Sequence, residues 1–139
     1  MRYLLDTNVL SELRRPRPDR KLSSWIVQNE AACALSDLVL GELTKGAYSL
    51  PEGARRLALL AWIGDVEDQF ERRIFPLDRD TLKIWGELCG TSERIEGRRL
   101  PVLDSLIAAT ALAHRLTVVT RNHRDFPSSV PTLCPWEAL

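Results

Sequence analysis

The chain has 139 residues, 45% of them hydrophobic, which suits one compact domain with a real core spanning residues 1–139. Nineteen basic residues balance nineteen acidic ones, so no global field draws in nucleic acid and any anion binding must come from local clusters. The longest apolar stretch, Ala108 to Ala113, lies in a segment interrupted by Asp104, Thr110 and His114 and is too short to span a bilayer. Arg2 is followed by only three apolar residues before Asp6, unlike the core of an export signal, so a cytoplasmic protein without membrane contact is expected.

Tyr3-Leu4-Leu5 is a short continuous apolar run, the pattern of a strand buried on both faces of a parallel sheet. Asp6 falls at its carboxyl end, where open α/β sheets bind ligands, although a plain strand-to-helix turn would also place an aspartate there. Thr7 or Asn8 can cap the helix that follows, read as Asn8 to Arg14 and ended before Pro16 and Pro18. A second helix begins near Asp19 and closes around Asn29, with Leu22, Trp25, Ile26 and Val27 as its inner stripe. Ala32 to Ser36 is a second apolar strand that ends in polar Ser36 and Asp37. Leu38, Val39, Leu43 and Ala47 then keep helical spacing through Tyr48. Glu42 sits within that helix between Gly41 and Gly46, each of which costs it roughly 1 kcal/mol relative to alanine and suggests close packing or a ligand near the backbone.

Pro51 opens a long helix through about Arg72, with Leu57, Leu60, Ala61, Ile63 and Phe70 on its apolar face and Gly64 as a potential break. Ile74 to Leu77 reads as a brief strand that Pro76 confines to a sheet edge. Asp78 caps a helix with the stripe Leu82, Trp85, Leu88 and Cys89, and Arg94 to Arg99 forms a basic loop. From Pro101 to His114 the chain is apolar on nearly every side and should form a central helix. Leu116 to Thr120 is a β-branched strand, and a last strand lies near Thr132-Leu133, after a loop holding Asp125-Phe126-Pro127. Cys33, Cys89 and Cys134 are odd in number, without the paired spacing of a zinc ribbon, and read as free thiols in packing roles.

The chemistry lies in the carboxylates. Asp104, one turn into an otherwise apolar helix, would be costly to bury ionised without a cation or a helix end beside it. Glu42 could instead pair with Lys45 on an exposed face. Together with Asp6, however, these acids would point into one crevice and repel one another. A divalent cation relieves that repulsion, and an all-oxygen donor set suits Mg2+ or Mn2+ rather than zinc. Such a site beside arginines favours hydrolysis of phosphodiesters by metal-activated water. The arginines cluster at Arg14 to Arg20, at Arg94 with Arg98-Arg99, and at Arg121 with Arg124. Arginine suits bidentate phosphate contacts, whereas the bland reading of each cluster is a solvated face.

Four stretches in order, Leu5-Asp6-Thr7-Asn8-Val9-Leu10-Ser11-Glu12, Gly41-Glu42-Leu43, Asp104 to Ala111, and Thr120-Arg121-Asn122 with Asp125-Phe126, resemble the motifs of PIN-domain ribonucleases. The branch they resemble is the VapC and FitB-like toxins of type II toxin–antitoxin modules, and the resemblance runs down to Pro135-Trp136. It implies a three-layer α/β/α fold around a parallel sheet of about five strands in the order 3-2-1-4-5. It also implies a metal-dependent endoribonuclease that binds Mg2+ or Mn2+, forms a homodimer and pairs with a VapB-like antitoxin, meeting DNA only through that antitoxin. Asp6, Glu42 and Asp104 match the family's metal-binding acids, with Thr7, Asn8 and Thr120 orienting them. The fourth position is open between Asn122, where some relatives carry an aspartate, and Asp125 three residues later. Arg98, Arg99, Arg121 and Arg124, beside two of the motifs, are candidate RNA contacts.

Other classes fit less well. An aspartyl-nucleophile phosphatase would carry a second aspartate where Asn8 stands, and a receiver domain would need a phospho-accepting aspartate after the third strand. A catalytically silent binding module has no need of the intact acid set.

Overall fold

The computed structural model describes residues 1–137; residues 138–139, the end of the expected single domain, lie outside it. Strand β1 (Tyr3–Leu5) is the centre of a five-stranded parallel sheet in the order β3-β2-β1-β4-β5. The other strands are β2 (Cys33–Ser36), β3 (Ile74–Phe75), β4 (Thr117–Val119) and β5 (Thr132–Leu133). Tyr3 and Leu4 pair with Cys33 and Ala34 on one side, and Tyr3, Leu4 and Leu5 pair with Thr117, Val118 and Val119 on the other. Leu4, Leu5, Ala34, Leu35, Val118 and Val119 are all buried, as unbroken apolar runs in a covered parallel sheet must be. The chain moves outward from β1 through β2 to β3 and then crosses back to β4. The carboxyl ends of β1 and β4 therefore flank the point where strand order reverses.

Helices α1 (Thr7–Leu13), α2 (Arg20–Asn29), α3 (Asp37–Tyr48), α4 (Ala54–Gln69), α5 (Arg79–Thr91) and α6 (Val102–His114) flank the sheet. Four start at side chains that accept a backbone N–H: Asp6 from Thr7, Asp19 from Leu22, Ser36 from Leu38 and Asp78 from Thr81. Helix α6 is buried from Ser105 to Ala111 and packs along α5, which bears out its central place. Its first turn leaves the core, so Val102 and Leu103 are exposed. At an edge, β3 ends just before Pro76, where a missing N–H harms no ladder.

Several sequence expectations need correction. Asp6, rather than Thr7 or Asn8, occupies the cap position of α1, its Oδ1 accepting the Thr7 N–H at 2.8 Å. Helix α4 begins at Ala54 after Gly53, whose φ of 149° stops a helix from Pro51, and it runs unbroken through Gly64. Ile63, Val66 and Phe70 set its inner face, and Leu57, about 120° round the helix from Ile63, is exposed. Val27 on α2 and Leu82 on α5 are likewise exposed, because Leu22 with Trp25 and Thr81 fix which face turns inward. The expected loop from Arg94 begins instead as a π-helical turn, Ser92–Glu96, that buries Ser92 and is closed by Gly97 at φ 63°. A Cβ placed on Gly41 or Gly46 would meet nothing within 4 Å, so neither glycine marks close packing.

Candidate functional site

Asp6 leaves the sheet at the end of β1 and is 6% exposed. Thr120, fully buried just past β4, donates from its hydroxyl to Asp6 Oδ2 at 2.9 Å. The same hydroxyl oxygen accepts Asn8 Nδ2 at 3.2 Å and the Asn122 backbone N–H at 3.1 Å. Asn8 also reaches Asp6 Oδ2 at 3.5 Å and accepts the Arg121 N–H at 3.2 Å. One aspartate, one asparagine and one threonine thus lock the ends of the two central strands together. Opposite them, Thr7 donates to Glu42 Oε1 at 2.8 Å, so Glu42 is turned toward α1 and makes no ion pair with Lys45 among the described residues.

Asp6, Glu42, Asp104, Asn122 and Arg121 line one open crevice of about 480 Å³ over the carboxyl ends of the strands. Its electrostatics follow from that gathering. Burial raises the Asp6 carboxyl above its ordinary range, the hydrogen bonds from Thr120 and Thr7 oppose the rise, and the Glu42 charge adds to it. Asp104 is pushed up to about 6, first by burial and then by the charges of Asp6, Asp125 and Glu42. Four carboxylates therefore sense one another in a wall that holds no ion pair to Asp6, Glu42 or Asp104 among the described residues.

The two candidates for the fourth position are separated by the fold. Asn122 lines the crevice, whereas Asp125, exposed in a short 3-10 turn, His123–Asp125, instead of on an open loop, is not one of the residues that line it. Asp125 still reaches Asp104 electrostatically. Of the four expected arginines, only Arg121 lines the crevice, its guanidinium 5.6 Å from the centre of the Trp136 ring. Arg98 donates to the backbone carbonyls of Arg124 and Asp125 at 3.4 and 3.2 Å, bracing that turn. Arg99 and Arg124 project into solvent.

Sequence reasoning missed Ser11, Glu12 and Arg15, which line the same crevice. Glu12 is 8% exposed, accepts the Asp19 N–H at 3.1 Å and pairs with Arg15 at 3.2 Å. The signal was present, since Glu12 and Arg15 lie one and two turns beyond Asn8 on the face that Asn8 presents.

The PIN domain family matches residues 3–128 of this chain. The VapC ribonuclease Y4jK of Sinorhizobium fredii is 34% identical over 137 residues, covering 96% of this chain and 97% of that protein. Toxin FitB of Neisseria gonorrhoeae is 31% identical over 138 residues, again covering 96% of this chain and 97% of its relative. The solved structure of FitAB bound to an IR36 DNA fragment superposes with a TM-score of 0.90 at 29% identity, covering 99% of this chain and 97% of that one. With its five-stranded 3-2-1-4-5 sheet and its matched length, the chain belongs to the PIN-domain family, in the branch of the VapC and FitB-like toxins.

Proposed function

We propose that this protein is a divalent-metal-dependent endoribonuclease, the toxin of a VapBC-like pair, that hydrolyses RNA phosphodiester bonds. The observation that carries the reading is the convergence of Asp6, Glu42 and Asp104 on one crevice, where none of the three makes an ion pair among the described residues. The donor set fits Mg2+ or Mn2+: every candidate ligand offers oxygen, and burial, reinforced by the charges of Asp6, Asp125 and Glu42, pushes Asp104 up to about 6, a rise that a bound cation opposes. Asp6, Glu42 and Asp104 would hold the ion. When bound, such an ion supplies an activated water and neutralises charge on the phosphodiester.

The remaining residues prepare the crevice. Thr120 and Asn8 hold Asp6 in one orientation, and Thr7 does the same for Glu42, so little freedom is left to lose when an ion is bound. Asn122 can offer its amide oxygen directly or hold a water without adding charge. Arg121 and Arg15, which line the crevice, would meet a phosphate in two-pronged fashion. RNA binding by a chain of zero net charge would then depend on these few cations.

The partners follow from the relatives. A homodimer bound by a VapB-like antitoxin, whose segment covers the acidic crevice, accounts for a nuclease that its own cell tolerates, and DNA contact would pass through the antitoxin. The test is incubation of purified protein with total RNA, with and without Mg2+ or Mn2+, beside a simple phosphate ester. Metal-dependent RNA cleavage that a chelator abolishes is expected. Hydrolysis of the ester alone would make it a different phosphohydrolase, and RNA binding without cleavage a silent binding module.

A further inference from the structure

Away from the acid cluster, two turns bring together three side chains of different chemistry. His123 opens the 3-10 turn after Asn122. Cys134 directly follows β5, and its carbonyl accepts the Glu137 N–H at 3.1 Å, closing a turn whose second residue is Pro135. His123 Nε2 lies 3.1 Å from Glu137 Oε1, and donor atoms of His123, Cys134 and Glu137 all lie within 4.8 Å of one another. Among the described residues these three form the group of histidine, cysteine and acidic side chains that meets that limit.

We propose that His123, Cys134 and Glu137 form a second cation site, separate from the acidic crevice, that takes a borderline-soft divalent ion of the zinc class. A tetrahedral ion with bonds of about 2.0 Å to nitrogen and oxygen and about 2.3 Å to sulfur holds these ligands roughly 3.3–3.5 Å apart. The His123 and Glu137 donors are already near that spacing at 3.1 Å, and the sulfur needs to close by no more than about 1.3 Å to reach it. Imidazole and thiolate select zinc over Mg2+, which prefers oxygen throughout, so the two sites divide divalent ions by chemistry. The charges also balance: the thiol of Cys134 loses its proton to solvent on binding, and thiolate plus carboxylate then match the two positive charges of the ion. Water completes the fourth position.

Among the described residues no strong interaction commits these groups elsewhere. The thiol of Cys134 makes one weak hydrogen bond there, to the Arg121 carbonyl oxygen at 3.9 Å. The pair His123–Glu137 is exposed at 32% and 62%, where an ion pair contributes little. An ion there would clamp the turn after β4 to the segment after β5. Asn122 and Arg121 adjoin His123, so occupancy would also stiffen that wall of the crevice.

The test is titration of tag-free protein with Co2+ in excess Mg2+. One equivalent should produce a near-ultraviolet thiolate-to-cobalt absorption and the visible bands of a tetrahedral ion, both removed by Zn2+. Cys33 cannot be the source, buried in the core with its thiol pushed up to about 12. Cys134→Ser should lose the near-ultraviolet band and Cys89→Ser should keep it. His123→Ala and Glu137→Gln, both at the surface, should weaken Co2+ binding at least about ten-fold, the lower bound for losing even an outer partner of a metal. Asp104→Asn should leave the band intact, which separates failure of this site from failure of the acidic one. Absence of the band in the unmodified protein, its persistence in Cys134→Ser, or unchanged affinity in His123→Ala would each overturn the proposal.

Discussion

Thr120 and Asp6 stand 114 positions apart in the chain, yet the threonine hydroxyl donates to the aspartate Oδ2 at 2.9 Å, with both side chains buried. This bond joins the ends of the two strands at the reversal of the sheet and sets the direction of the central carboxylate. Thr120→Val keeps the shape and removes the bond, leaving Asp6, Asn8 and the Asn122 N–H each short of a partner. Chemical denaturation should show a loss of about 1–3 kcal/mol. Under the proposed activity, metal-dependent cleavage should fall roughly 10- to 100-fold. Thr120→Ser should restore most of both.

Asp6→Asn and Asp104→Asn should each lower cleavage more than about 100-fold, beyond the effect of losing an outer partner, and relieve growth inhibition in a bacterial host. Neither should unfold the protein, because each removes charge from a repulsive cluster and the amide oxygen that replaces the Asp6 carboxylate can still accept the Thr7 N–H. Circular dichroism together with an RNA cleavage assay checks both halves, and full activity in either variant would refute the assignment of the site.

Asp104 titrates near 6 in the folded chain, against about 3.9 in an unfolded one. Between those values the folded state binds more protons, so stability must fall as pH rises from about 4 to about 6 and stay low above. The raised pKa of Asp6 acts in the same direction. Partial solvent access to Asp104 leaves an effect of about 1 kcal/mol at neutral pH, or roughly 3 °C in Tm. Thermal melts without divalent metal should therefore show Asp104→Asn more stable than the parent at pH 7 and equal to it near pH 4. Excess Mg2+ should stabilise the parent preferentially. A parent that gains stability over this range relative to the variant would contradict the electrostatic account.

Asn122 and Asp125 should divide their labour. Asn122 faces the crevice, so Asn122→Ala should slow cleavage, and Asn122→Asp should be tolerated while tightening Mn2+ binding through the added charge. Asp125 acts on Asp104 through its charge without lining the crevice, so Asp125→Ala should lower the Asp104 pKa and weaken metal affinity less than Asp6→Asn does. Calorimetric titration of the three variants decides it. If Asp125→Ala removes binding while Asn122→Ala changes nothing, the fourth position belongs to Asp125.

The arginines should rank by position. Arg121→Ala and Arg15→Ala, on the crevice wall, should each flatten the salt dependence of binding to single-stranded RNA by about 0.7 in the logarithmic slope. Arg99→Ala, 91% exposed and away from the crevice wall, should change it least. Arg98→Ala should act indirectly, by loosening the turn that carries Asp125. Equal slopes for all four variants would return every arginine to the role of a solvated surface charge.

Local pattern alone determined a large part of this protein. The apolar runs at Tyr3 to Leu5, Cys33 to Ser36 and Thr117 to Val119 are strands because nothing polar interrupts them, and Pro101 with the apolar residues after it marks the central helix before any contact is known. The order of the acidic motifs likewise names the family. Tertiary structure decided what depends on direction. Whether Val27, Leu57 and Leu82 face inward is set by which neighbouring helix wins the contact, a choice that period-3.6 spacing leaves open. The same holds for the fourth site position, since Asn122 and Asp125 differ by three residues in the chain, yet the turn between them leaves Asn122 lining the crevice and Asp125 outside its lining. Glu12 and Arg15 enter the crevice only because α1 starts at Asp6 and turns one face toward Glu42. His123, Cys134 and Glu137 have no ligand-like spacing in sequence. They meet because parallel pairing of β4 with β5 places the two following turns side by side, and long-range pairing of that kind leaves no mark on local composition.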